Sequence, residues 1–156
     1  MQRRVPSAPI PKFARACGTS DPNFGTKGAL ATLRETTREL LDARLLDLLP
    51  PLASLCPPAT VTDKTRYSAF AEPRLLAHLQ AREADRLIIT GSETDVCVLA
   101  TVLGAVDLGY RVILVRDGVC SSSDEGHDAL MKIYHRRYTE QIEVADASTI
   151  IARWDR

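Results

Sequence analysis

Two runs in the second half of the chain, Leu87-Ile88-Ile89 and Val112-Ile113-Leu114-Val115, are apolar at every position and too short to be helices. A strand with one wet face alternates apolar and polar residues. These do not, so both belong in a sheet covered on its two sides, which is how parallel strands are buried. The segment Gln141 to Val144 predicts a third strand. Helical stretches separate them. Val96 to Leu108 is apolar nearly all round and is closed by Gly109, a natural C-terminal cap. Ser122 to Arg137 reads as a helix opened by a Ser122/Glu125 capping box, and Asp146 can cap a last helix through Trp154. Upstream, Pro73 suits the first position of a helix that carries Leu75, Leu76 and Leu79 and ends near Ala84. Strand and helix in strict alternation predict an α/β fold: a three-layer sandwich with a mainly parallel sheet, right-handed crossovers and helices on both faces. Sites in such sheets lie beyond the carboxyl ends of the strands, here the loops 91–96 and 117–123 and whatever follows Lys64.

The first part of the chain is different in kind. Eight of the nine prolines fall in residues 1–60, and residues 1–26 mix four of them with Gly, Ser and Asn and show no apolar period. This predicts a disordered or irregular leader over 1–26 and one domain over 27–156. Leucines from 30 to 49 follow a roughly helical spacing that Pro50 and Pro51 should stop, and Ala59 to Asp63 reads as a short strand with Lys64 at its end.

Twenty basic and twenty acidic residues cancel, so no global field steers the chain toward nucleic acid or an anionic membrane. No apolar run is long enough to span a bilayer and no signal core follows the start, which together predict a cytoplasmic protein. The cysteines at 17, 56, 97 and 120 lack close pairing or ligand spacing and are expected as free thiols. His78, His127 and His135 form no ligand pair with a carboxylate, so neither a metal nor another cofactor is expected.

Chemistry concentrates in Gly91-Ser92-Glu93-Thr94-Asp95-Val96-Cys97, which delivers Cys97 to the first turn of a buried helix directly after a strand. Unpaired N–H groups and the positive end of the helix dipole stabilise a thiolate there, as a nucleophile requires, and the same amides can hold an oxyanion. The alternative is that Cys97 is simply a small hydrophobe in an apolar helix. Lys64, after its strand, would by itself be an ordinary solvated lysine.

The stretches Val61-Thr62-Asp63-Lys64-Thr65-Arg66-Tyr67-Ser68-Ala69-Phe70 and Leu87 to Val98, followed by Gly109-Tyr110-Arg111-Val112, Asp117 and Ser121 to His127, resemble the isochorismatase-like cysteine hydrolases, which include nicotinamidases and N-carbamoylsarcosine amidohydrolase. The resemblance covers about residues 61–152. It implies a nucleophile at Cys97, a catalytic lysine at Lys64, and a cis peptide between Ser92 and Glu93 that turns the Glu93 amide inward, so that Glu93 and Cys97 amides form the oxyanion hole. Thr94 and Asp95 match positions that shape this loop. Tyr67 and Phe70 either line a pocket or pack on the core. The family's aspartate ends an apolar N-terminal strand, and no such run precedes residue 60; Asp21 stands in a turn sequence and is not assigned. The family's next strand, which leads to metal-binding histidines in nicotinamidases, also has no visible counterpart, and the N-terminal part reads as truncated or divergent.

The expected function is hydrolysis of a small amide or other C–N substrate through a cysteine thioester. The alternative is a catalytically impaired remnant of the family that binds a small molecule or a partner. A thiol redox pair of Cys97 and Cys120 is a third reading, and needs the sulfurs close enough to bridge. A small-molecule substrate is the expected partner, with no nucleic acid and no membrane. A homo-oligomer is expected too, since family members commonly assemble and an uncovered strand edge invites pairing.

Overall fold

The structure is a computed structural model that describes residues 13–16, 47–64 and 66–154, the first of these as backbone only. It divides into two compact units, residues 1–66 and 67–156. In the first unit, β1 (Phe13–Ala16) pairs in parallel with β2 (Val61–Lys64), Phe13 opposite Val61 and Ala16 opposite Lys64. β1 is a correction to the reading of residues 1–26 as irregular. The four residues Phe-Ala-Arg-Ala carry no β-branched side chain and no alternation, and a pairing with a strand 45 or more residues away leaves no local trace. Pro50 and Pro51, expected to stop a helix, instead open α1 (Pro50–Ala53), because a first helical turn has no use for the N–H that proline lacks. The leucine spacing over 27–46 and Cys17 lie outside the described residues.

The second unit holds a short 3₁₀ turn (Ala69–Ala71), α2 (Pro73–Ala81), β3 (Arg86–Ser92), a π-helical turn (Thr94–Val98), α3 (Leu99–Asp107), β4 (Arg111–Cys120), α4 (Asp124–Arg137), β5 (Ile142–Ala145) and α5 (Ala147–Trp154). β3, β4 and β5 form a parallel sheet in that order. The register places Leu87, Val112 and Ile142 in one row and Ile89, Leu114 and Val144 in the next, so these six share one face. That face packs on Val98 of the π-helical turn, on Val102 of α3 and on Met131 and Tyr134 of α4. Toward the carboxyl ends the register slips: β4 advances from Leu114 to Val119 while β3 advances only from Ile89 to Gly91, and the bulge bends the strand end.

Caps depart from the sequence reading in two places. α4 is capped by Ser123, whose Oγ accepts from the Gly126 N–H at 3.0 Å, not by Ser122. At α5 the Asp146 side chain is turned away. Its carboxylate takes two bonds of 2.8 Å from the Arg116 guanidinium, which lowers its pKa, while Asp117 accepts from the Ala147 N–H at 2.8 Å. The bidentate arginine is the stronger partner for a carboxylate, and it leaves the capping position to the neighbouring acid. The expected Gly109 cap is present as a Schellman turn: Gly109 has φ +86°, its N–H bonds Val106 O at 2.9 Å, and the Tyr110 N–H bonds Ala105 O at 2.9 Å. Among the described residues no helix is long and apolar enough to cross a membrane, and no cluster of His, Cys, Asp and Glu could hold a metal ion.

Tyr134 is fully buried, and its hydroxyl has no hydrogen-bond partner among the described residues. Burial pushes its phenol up to about 12, with a further push from Tyr138. The folded pKa thus exceeds the unfolded value near 10. The stability linked to this group is complete below pH ~10 and is lost as pH rises toward the folded value. Tyr134→Phe should therefore match the parent within about 1 kcal/mol at pH 7 in urea unfolding and overtake it above pH ~10. A parent more stable than the variant throughout that range would show that the hydroxyl is satisfied.

Candidate active site

β3 and β4 are hydrogen-bonded neighbours whose last paired residues are Ser92 and Cys120. The chain segments that leave them therefore start side by side, at the carboxyl edge where an α/β sheet presents its sites. From β3 comes the segment that carries Cys97. The Ser92–Glu93 peptide is cis, at the bond the family resemblance singled out. The Glu93 carbonyl accepts from the Val96 N–H at 3.2 Å and the Val98 N–H at 2.9 Å, the second being the bond of a π-helical turn. Cys97 sits in this turn, half-buried and with a free thiol, so the first turn after the strand is wider than the α-helical start expected for Val96 to Leu108. π-turns of this kind occur frequently at functional sites.

The side chains of three consecutive residues then cross to the segment that leaves β4. The Ser122 hydroxyl donates to Glu93 Oε2 at 3.0 Å, Thr94 Oγ1 and His127 Nδ1 are 2.9 Å apart, and the Ser121 hydroxyl donates to Asp95 Oδ1. Thr94 is fully buried, so its bond to His127 lies where water cannot replace it. Asp95 lies hard against Gly126: a β-carbon there would overlap Asp95 Oδ2 and come within 3.0 Å of its Cγ. On the other side, Thr101 donates to the Cys97 carbonyl at 2.8 Å and accepts from the Ala69 N–H at 3.1 Å. This fixes the 3₁₀ turn beside the start of α3. Phe70 leaves that turn for the core and stacks on Tyr110, with ring centroids 6.0 Å apart, whereas Tyr67 is exposed.

Ser92, Glu93, Thr94, Asp95 and Cys97 are thus gathered in one turn of the second unit. Lys64 belongs to the first unit, at the carboxyl end of β2, where it is 5% exposed and its Nζ donates to the Arg66 carbonyl at 3.0 Å. A buried ammonium is not the solvated lysine that composition alone would suggest. Cys120 is exposed at the end of β4. Ser121, Gly126, His127 and the relay through Thr101 have no site role in the sequence reading, and Ser122 has only that of a helix cap. The signal available was the run of three serines directly after a buried strand, followed by a histidine one turn into the next helix.

Comparison with known proteins shows the family to which the chain belongs. The family model for the isochorismatase domain matches residues 19–146, and the chain belongs to that family. The match begins well before residue 61, so family character extends into the stretch where no motif is visible. A segment of 65 residues, 42% of this chain and 36% of the relative, is 42% identical to the uncharacterized isochorismatase family protein PncA of Bacillus subtilis. The ureidoacrylate amidohydrolase RutB of Cronobacter sakazakii is 35% identical over 113 residues, 67% of this chain and 47% of that enzyme. The chain therefore spans half or less of the length of these curated relatives. Among solved structures, the nicotinamidase/pyrazinamidase PncA of Bacillus subtilis superposes with a TM-score of 0.65 at 27% identity, covering 86% of this chain and 74% of that one.

The Asp95–Gly126 contact sets two effects against each other. Alanine is the better helix former by about 1 kcal/mol. Overpacking against a carboxylate already engaged by Ser121 costs about 1–3 kcal/mol. Gly126→Ala is therefore expected to lower the melting temperature despite its gain in helix propensity. A rise would show that Asp95 moves aside freely.

Proposed function

We propose that the protein is a cysteine hydrolase that cleaves the C–N bond of a small amide or ureido compound through a thioester. The observation that carries this reading is the placement of Cys97, a free, half-buried thiol in the first helical turn beyond the carboxyl end of the parallel strand β3. The names of the relatives, an ureidoacrylate amidohydrolase and a nicotinamidase/pyrazinamidase, support the choice of an amide-type bond.

In this scheme the Cys97 sulfur attacks the carbonyl carbon, and the Glu93 and Cys97 amides take the oxyanion that forms. Collapse expels the nitrogen with the proton that the thiol gave up, leaving an acyl thioester on Cys97. Water then attacks the same carbon, the acid leaves, and the proton returns to sulfur. Lys64 is assigned, on the family pattern, the ammonium that favours the thiolate over the thiol. Thr94 and Asp95 shape the turn and take no proton.

The test is mass spectrometry and product analysis with a panel of small amides and ureido acids, nicotinamide among them. A substrate should give a Cys97-bound acyl adduct and released amine, both absent in Cys97→Ala. Cys56→Ser and Cys120→Ser should keep full activity, and Lys64→Met should lose about tenfold to a hundredfold if its charge serves the thiolate. Saturable binding without adduct or amine would sink the hydrolase and favour the ligand-binding remnant.

A further inference from the structure

We infer that His127 is a positioning residue for Cys97, acting through Thr94 to hold the nucleophile turn against α4. The inference rests on the hydrolase reading for its purpose, but its observations are independent of turnover. Thr94 opens the π-turn that contains Cys97, is fully buried, and has its hydroxyl 2.9 Å from His127 Nδ1. His127 is anchored in turn: its own N–H donates to the Ser123 carbonyl at 2.9 Å, in the capped first turn of α4. Of the flanking bonds, Glu93 with Ser122 is exposed and Asp95 with Ser121 is partly buried. Of the three crossings, only the one at Thr94 joins a side chain with no access to water to a ring on a regular helix. It is the crossing whose loss solvent cannot repair.

The geometry also says what a replacement must keep. The imidazole Nδ1 and the amide atoms of asparagine are both one bond beyond Cγ, so His127→Asn retains a hydrogen-bonding atom near the Nδ1 position. His127→Leu fills similar space without one. Thr94→Val removes the other half of the pair and keeps the shape of the side chain.

The experiment is site-resolved alkylation of the full chain by iodoacetamide at fixed pH, with Cys56 and Cys120 as internal references and thermal unfolding of each variant alongside. His127→Leu and Thr94→Val should each slow Cys97 alkylation about threefold to tenfold relative to the reference thiols, the size of one buried hydrogen bond. The double variant should be no slower than either single one. His127→Asn should return the rate to within about twofold of the parent. A Cys97 rate unchanged or raised in Thr94→Val or His127→Leu overturns the inference, as does an asparagine variant as slow as leucine. If His127→Leu does not fold, Thr94→Val and His127→Asn decide the matter on the same criteria. Should Cys97 of the parent react no faster than the reference thiols, the hydrolase reading fails; should it react faster and survive both substitutions, that reading stands and this inference falls.

Discussion

The parallel pairing of β3 with β4 is the constraint on which the rest of the second unit depends. Its hydrogen bonds run from Arg86 opposite Arg111 to Ser92 opposite Cys120, and they deliver two outgoing segments to adjacent points on one edge. Everything chemical about the site follows from that adjacency. A cysteine at a helix start is common, but one whose preceding residues are tied on one side to the loop after the neighbouring strand, and on the other to a turn before α2, is held in place by parts of the chain far apart in sequence.

The apolar face beneath explains why this edge is rigid enough to matter. Val98 and Val102 enter the same cluster as Val112 and Leu114, so the helical segment that follows Cys97 is anchored by burial. Each such side chain removed from water is worth roughly 1.5–3 kcal/mol, more than a neutral hydrogen bond such as that of Thr94 with His127. Burial sets where the helix lies, and the hydrogen bonds set how its first turn is wound. The exposed Arg116–Asp146 pair is of a different order. Its geometry is good, yet solvent screens it, and its consequence is mainly that Asp117 rather than Asp146 receives the first N–H of α5.

Much of this was legible in advance because the signals were local. Strands of a covered sheet show as unbroken apolar runs, and both runs lie within strands: Val112, Leu114 and Val115 are buried as expected, whereas Leu87 to Ile89, expected to be buried on both faces, are half-buried. Gly109 as a helix terminator and Pro73 as a helix opener depend only on backbone conformation and are found in those roles. The expectations that failed needed knowledge of a distant neighbour. Ser122 looked like the cap of α4 until Glu93 claimed its hydroxyl, and Ser123 took the role one residue later. Asp146 gave way to Asp117 because Arg116 stood within reach. β1 has no pattern of its own and exists through its pairing with β2.

The amino-acid sequence alone determined the fold class, two apolar strands and the cysteine that follows one of them, since apolar period and turn chemistry are properties of neighbours along the chain. The tertiary structure decided how Cys97 is presented: in a π-turn rather than a plain helical one, with Glu93, Thr94 and Asp95 each bonded across to Ser122, His127 and Ser121. Those partners lie 26 to 33 residues away. A hydroxyl or an imidazole can satisfy many neighbours equally well, and only the register of two adjacent strands selects which one it meets.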